Sequence, residues 1–184
     1  MIRTREDWIL AGMKILAEQG VDSIKIEAIA RKLEVSKGGF YGYFLNRDTF
    51  LQAILDYWTE TFTNQIIESV GKLEGSLSEK LNKMVSIVDD SKYDNMEISM
   101  LAWANKDTKT QKVVMRVIRE RLEFITNLFR KGGFTKNAAV NRANIVHHYI
   151  CGCRSFRPLL PKNGSPERYK QLDQFIKIAT APVT

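Results

Sequence analysis

The chain has 184 residues, of which 44% are hydrophobic and 27% are charged, as in soluble globular proteins and unlike disordered chains. This length allows one sizeable core or two small ones. No run reaches the roughly 20 apolar residues of a membrane span, and the N-terminus lacks the apolar core of a signal peptide. We therefore expect a cytoplasmic protein with no membrane partner.

The net charge of +7 favours a polyanionic partner such as nucleic acid. It does not locate the contact surface, because residues 1–50 hold eight basic and seven acidic groups. Residues 105–136 hold nine basic groups against three acidic ones. We interpret that excess as the solvated face of a helix.

Helical periodicity and capping signals predict four helices in the first 70 residues. The first covers about residues 4–19 and stops at Gly20. The second carries one apolar stripe at i, i+3, i+4 and i+7 spacing, made of Ile26, Ile29, Ala30 and Leu33. Ser36 is a natural N-cap for a short third helix that ends near Tyr43, and Asn46 caps a long fourth one.

The rest of the chain continues the helical pattern after Gly71 and Gly75. Further helices are predicted over residues 76–90, 94–104, 108–131 and 136–154. Pro158 and Pro161 mark a loop. Ser165 and Pro166 then open a last helix as its N-cap and first residue.

These elements predict an all-α fold, since alternating strand patterns are absent. Residues 1–46 form a three-helix head of the helix-turn-helix type. Residues 47–184 form a larger helical body, and a helix over about 47–70 connects the two.

The third helix is unusual because it contains three glycines, Gly38, Gly39 and Gly42. In a helix interior each costs roughly 1 kcal/mol relative to alanine. A helix whose backbone must lie close to bases or phosphates gains from the missing side chains. The pattern therefore favours a DNA-reading helix over a purely structural one.

The stretch from Val35 to Phe44, with Asn46-Arg47-Asp48 after it, resembles the DNA-binding signature of the tetracycline-repressor (TetR) family. The resemblance covers about residues 4–58. It implies a homodimeric repressor that binds double-stranded operator DNA and leaves it on binding a small, largely apolar effector. It also implies that the residues facing the groove are Lys37, Gly38, Gly39, Tyr41 and Gly42, and that Tyr43 and Arg47 contact phosphates.

Three positions depart from the family pattern. Lys25 stands where a capping Ser or Thr is usual, although its ammonium group can reach a phosphate. Glu27 replaces a residue that is often basic, and an acid there must accept from a cytosine amino group or point away from DNA. Gly42 replaces a larger side chain, which reduces direct base readout.

The body is expected to bind the effector and to form the dimer. Large adaptable side chains are candidates for an apolar pocket: Trp58, Phe62, Met84, Met100, Trp103 and Phe124. The apolar faces of the last two helices fit an intersubunit four-helix bundle, or equally an intramolecular core: Val146, Tyr149, Ile150, Cys153, Leu172, Phe175 and Ile176.

A rival interpretation is a thiol- or metal-responsive regulator that uses His147, Cys151 and Cys153. His147 and Cys151 share one helix face at i, i+4 spacing. Two ligands on one helix do not complete a tetrahedral site, so we predict no bound metal and no cofactor. Without an orienting carboxylate or a phosphate-binding loop, the chain is predicted to be a binding protein and not an enzyme.

Overall fold

The computed structural model describes residues 3–89, 95–155 and 159–182, so Pro158 of the predicted loop lies outside the described residues. Within these ranges the chain is helical and has no strand, which confirms the predicted all-α fold. The helices are α1 (Arg5–Gln19), α2 (Ile26–Leu33), α3 (Lys37–Tyr41), α4 (Arg47–Thr59), α5 (Gln65–Gly71), α6 (Leu77–Asp89), α7 (Met96–Ala104), α8 (Thr108–Lys131), α9 (Lys136–Ser155) and α10 (Pro166–Thr180). Among the described helices, none combines the length and the apolar character that crossing a membrane requires.

Local capping explains where several helices begin and end. Thr4 and Asp7 form a capping box at the start of α1, and Gly20 ends that helix with a φ of 81°. The Asn46 side chain accepts from the backbone N–H of Thr49 at 2.9 Å and so caps α4. A π-helical turn, Glu60–Asn64, separates α4 from α5.

The chain divides into two compact units. The first comprises Met1–Thr61 and Asn95–Val114, and the second comprises Phe62–Asp94 and Met115–Thr184. The first unit extends past residue 46 because α4 and α7 both pack against α1. The functional division at residues 46 and 47 stays a prediction.

The core of the first unit is rich in aromatic side chains. Phe40 is fully buried, and its ring centroid lies 5.4 Å from that of Trp8 and 5.4 Å from that of Phe50. Both contacts are edge-to-face, which aromatic rings favour. Through Phe40, one face of α3 therefore packs against α1 and α4.

The second unit has a mainly aliphatic core and contains a buried ion pair. Arg168 is 1% exposed, and its Nη2 lies 2.6 Å from Oδ1 of Asp89. Burial alone would lower the pKa of Arg168, but its interactions with Asp89 and Cys153 together outweigh this effect and the pKa is raised. An unpaired charge at such a site would cost about 3–5 kcal/mol, so this pair ties α10 firmly to the end of α6.

Three of the predicted dimer residues belong to the interior of this unit. Val146, Leu172 and Ile176 are 0%, 6% and 1% exposed and share one core cluster with α6 and α8. Their burial favours the intramolecular alternative for these three residues, and a role in a dimer stays a prediction. The apolar residues of α9 and α10 thus spread over more than one face of each helix. Some are buried in the core, whereas Ile145 and Ile178 are exposed.

The other predicted dimer residues are only half-buried: Tyr149, Ile150, Cys153 and Phe175. The rings of Tyr149 and Phe175 stack, with their centroids 3.6 Å apart. Their role in a dimer stays a prediction.

Candidate nucleic-acid interface

The region between α2 and α3 has a tight three-residue turn. Glu34 ends α2 in the left-handed conformation, with a φ of 59°, and the Val35 amide donates to the Ala30 carbonyl at 3.0 Å. Because Phe40 points into the core, the opposite face of α3 is open to solvent. Ser36 occupies the N-cap position, although its side chain makes no capping bond.

The open face contains the residues that the sequence singled out. Lys37, Gly38, Gly39, Tyr41 and Gly42 are all exposed, and the Tyr41 side chain is 52% exposed. The structure brings these five residues together on one surface. Lys25 is also exposed, at the start of α2, where it makes no capping bond.

The packing of the head requires neither the two glycines of α3, Gly38 and Gly39, nor Gly42, which is the C-cap of α3. A Cβ atom built on Gly39 would have no heavy atom within 4 Å. At Gly38 the nearest contact would be 3.5 Å and at Gly42 it would be 3.6 Å, both ordinary van der Waals distances. None of the three has a positive φ. Alanine would therefore fit at each position of the free protein.

Lys37 is held in an ion pair across the two helices. Its Nζ lies 2.5 Å from Oε1 of Glu27, and both side chains are at least half exposed. The hydrogen bond from Lys37 lowers the pKa of the Glu27 carboxyl, and the same bond raises the pKa of Lys37. The sequence pointed to each residue separately but gave no signal for the pairing, because ten positions and a turn separate them.

Tyr43 and Arg47 make bonds within the head. The Tyr43 hydroxyl donates to the carbonyl oxygen of Arg3 at 2.8 Å. The Arg47 guanidinium donates to the carbonyl oxygens of Val21 and Ile24, at 2.9 and 3.1 Å. These bonds use two of its five donors, so Arg47 braces α4 against the segment before α2. Contact of either residue with phosphate stays a prediction.

Sequence reasoning missed Arg3 as a part of this region. Its Nε donates to the Leu33 carbonyl at 3.0 Å, while its own carbonyl accepts from Tyr43. Arg3 thus connects the N-terminal segment with the ends of α2 and α3. An isolated basic residue before the first helix carries no pattern that could have indicated this role.

The six predicted effector residues are divided between the two units. Trp58, Met100 and Trp103 belong to the first unit, where Trp58 and Met100 are fully buried. Phe62, Met84 and Phe124 belong to the second. Their assignment to one pocket stays a prediction.

The residues of the rival interpretation lie on α9. Cys151 Sγ is 3.9 Å from Nδ1 of His147, and neither Cys151 nor Cys153 is part of a disulfide bond. Over the part of the chain that the structure describes, no three His, Cys, Asp or Glu side chains form a group that could hold a metal ion. The geometry therefore adds nothing in favour of metal sensing.

The first unit contains a helix-turn-helix, and the second unit is larger and also helical. This arrangement is typical of helix-turn-helix transcriptional regulators. The family model of bacterial regulatory proteins of the TetR family matches residues 9–54. HTH-type transcriptional regulator YuxN of Bacillus subtilis is 36% identical over 56 residues, which are 30% of this chain and 19% of YuxN. Transcriptional regulator AcuR of Cereibacter sphaeroides is 33% identical over 70 residues, which are 38% of this chain and 31% of AcuR. These matches thus span about a fifth and a third of the relatives' length.

Solved structures share the fold over nearly the whole chain. A TetR transcriptional regulator from Legionella pneumophila superposes with a TM-score of 0.80 at 12% identity, covering 97% of each chain. AibR, solved in complex with isovaleryl coenzyme A and operator DNA, superposes with a TM-score of 0.73 at 13% identity, covering 97% of this chain and 99% of AibR. The head thus matches the TetR family in sequence, and the chain shares its fold with solved TetR regulators, which confirms the resemblance found in the sequence.

Proposed function

We propose that this protein is a sequence-specific DNA-binding transcriptional regulator and that the exposed face of α3 enters the major groove. The observation that carries the proposal is the row of exposed glycines, which the packing of the head does not require. Helix-forming sequences seldom keep such residues, because each destabilises the helix. Close approach to DNA is a reason to keep them.

The chemistry around the glycines suits a polyanion. Lys25 is exposed at the start of α2 and Tyr41 is exposed on α3, and an ammonium group and a phenol hydroxyl commonly contact phosphate oxygens. The major groove is wide enough for one α-helix with its side chains. YuxN and AcuR, which are named as transcriptional regulators, and the operator DNA bound to AibR support the same proposal.

The regulator acts as a homodimer in this proposal. A groove of about 410 Å³ lies between α9 and α10, with Ile145, Phe175 and Ile178 among its lining residues. Ile145 is 58% exposed and Ile178 is 73% exposed, so two large apolar side chains of one groove face solvent. A second copy of the chain would cover them. Two-fold pairing would place a second α3 about 34 Å away, one turn of DNA further along.

Selection of bound sequences from random DNA tests the proposal. We expect the full-length protein to enrich an inverted repeat whose half-sites are centred about one helical turn apart. Each half-site should be short, because α3 is a short helix. Enrichment of no sequence at moderate ionic strength would contradict the proposal, and enrichment of a single unrepeated site would contradict the dimer.

We further propose that the protein is a repressor and that a small, largely apolar ligand releases it from the operator. Support comes from the aromatic and methionine side chains of both units and from the acyl-coenzyme A ligand named for AibR. A ligand can cause release only if it binds the DNA-free arrangement more tightly.

Fluorescence anisotropy of the complex with the selected operator measures release directly. Apolar acids, acyl thioesters and aromatic compounds should lower operator affinity in a saturable manner. Release by an oxidant or by zinc instead, with the response lost in Cys151→Ser, would overturn the apolar-ligand proposal in favour of a thiol- or metal-responsive regulator.

A further inference from the structure

The Glu27–Lys37 ion pair lies on the surface that we assign to DNA. Lys37 is the first residue of α3, and Glu27 lies in the first turn of α2. A carboxylate at this place is unexpected, because DNA phosphates repel it. The nearby cation neutralises Glu27, so the two side chains together present no net charge. The pair is therefore poorly suited to simple phosphate binding.

We propose, resting on the function proposed above, that Glu27 determines sequence specificity by accepting a hydrogen bond from the N4 amino group of a cytosine, while Lys37 donates to the paired guanine. Oε1 of Glu27 already accepts from Lys37. That oxygen has a second lone pair, which can also accept a base amino group. The Lys37 ammonium has three donors, of which the ion pair uses one.

The spacing of the pair matches the major-groove edge of a C·G base pair. Nζ of Lys37 and Oε1 of Glu27 are 2.5 Å apart. In the base pair, cytosine N4 donates to guanine O6 across an ordinary hydrogen bond of about 2.9 Å. The Lys37 ammonium can therefore donate to guanine O6 while the neighbouring Glu27 carboxylate accepts from cytosine N4.

The same chemistry favours C·G over A·T. Adenine also offers an amino group beside a carbonyl of its partner base, but its N7 acceptor lies next to that amino group. That lone pair would face the Glu27 carboxylate and repel it. Cytosine has a C–H group at the corresponding place. Guanine adds a second acceptor, N7, beside the O6 that Lys37 reaches.

The experiment is random-DNA selection with three full-length proteins: wild type, Glu27→Gln and Glu18→Gln. Glu18 is the matched control because it forms an exposed ion pair with Lys14 on α1, with side chains 50% and 55% exposed. Both variants lose one negative charge from the first unit. Circular dichroism checks that each remains folded, which we expect because both side chains are exposed.

We expect the wild type and Glu18→Gln to require C·G at one position of each half-site. Glu27→Gln should keep the rest of the site and lose that preference, with discrimination against T·A there falling about tenfold or more. An unchanged preference in Glu27→Gln would overturn the inference, as would loss of binding to every sequence by the folded variant. A wild type that selects no sequence would instead contradict the proposed function itself.

Discussion

Replacing Gly39 with alanine should produce a more stable protein that binds its operator poorly. The added methyl group would meet nothing within 4 Å in the free protein. Alanine in a helix is favoured over glycine by about 0.5–1 kcal/mol, so the free energy of unfolding should rise by that amount. Operator affinity should fall about tenfold or more, because the methyl group would occupy space that bases or phosphates need. Urea denaturation and anisotropy titration at fixed salt measure the two effects.

Gly12→Ala is the matched control, because Gly12 lies on α1 in the interior of the same unit. A Cβ there would lie 2.6 Å from Cδ1 of Ile54 and 2.8 Å from Cζ of Phe50. Overpacking of this kind costs typically about 1–3 kcal/mol, so this variant should lose stability. Operator affinity per folded molecule should change little. If Gly39→Ala is stabilised and binds as tightly as the wild type, α3 does not lie against DNA.

Replacing Ile145 with aspartate should convert a dimer into a monomer. An aspartate in this largely apolar groove would become a buried charge once a second chain covers it, and burying a charge is strongly unfavourable. Sedimentation equilibrium at micromolar concentration should report the mass of one chain, 21.1 kDa, for the variant and twice that mass for the wild type. Affinity for the full inverted repeat should fall about 100-fold or more, since the benefit of two linked heads is lost.

Val140→Asp provides the comparison for this experiment. Val140 is on the same helix and is 40% exposed, but it does not line the groove. The change in charge and hydrophobicity is almost the same at both positions. The Val140 variant should therefore remain a dimer with unchanged operator affinity. If the Ile145→Asp protein is monomeric and still binds the operator with full affinity, the proposal that two heads of a dimer bind one inverted repeat is wrong.

Much of the fold could be predicted because its signals are local. The predicted start and end of α8, residues 108 and 131, agree with the observed helix, and so do the caps at Asn46 and Ser165. Helical period and capping depend on residues within one or two turns of each other. The helix-turn-helix motif is equally local, so its exposed face could be described before its packing was known.

Contacts between distant segments could not be predicted in this way. Asp89 and Arg168 are 79 positions apart, and nothing around either residue indicates that they would form a buried pair. The body shows the same limit. Periodicity marked Val146 and Ile176 as apolar positions, but only packing decided that they are interior while Ile145 and Ile178 remain exposed.

The amino-acid sequence alone determined the helices, the head motif and the glycines of α3, because short-range backbone preferences and capping bonds decide these features. The tertiary structure alone decided that Lys37 pairs with Glu27, that Arg47 braces the head and that the groove between α9 and α10 is open. A hydrophobic stripe indicates that one face of a helix is buried. Which neighbour covers that face depends on how all the helices pack together, and no single segment contains that information.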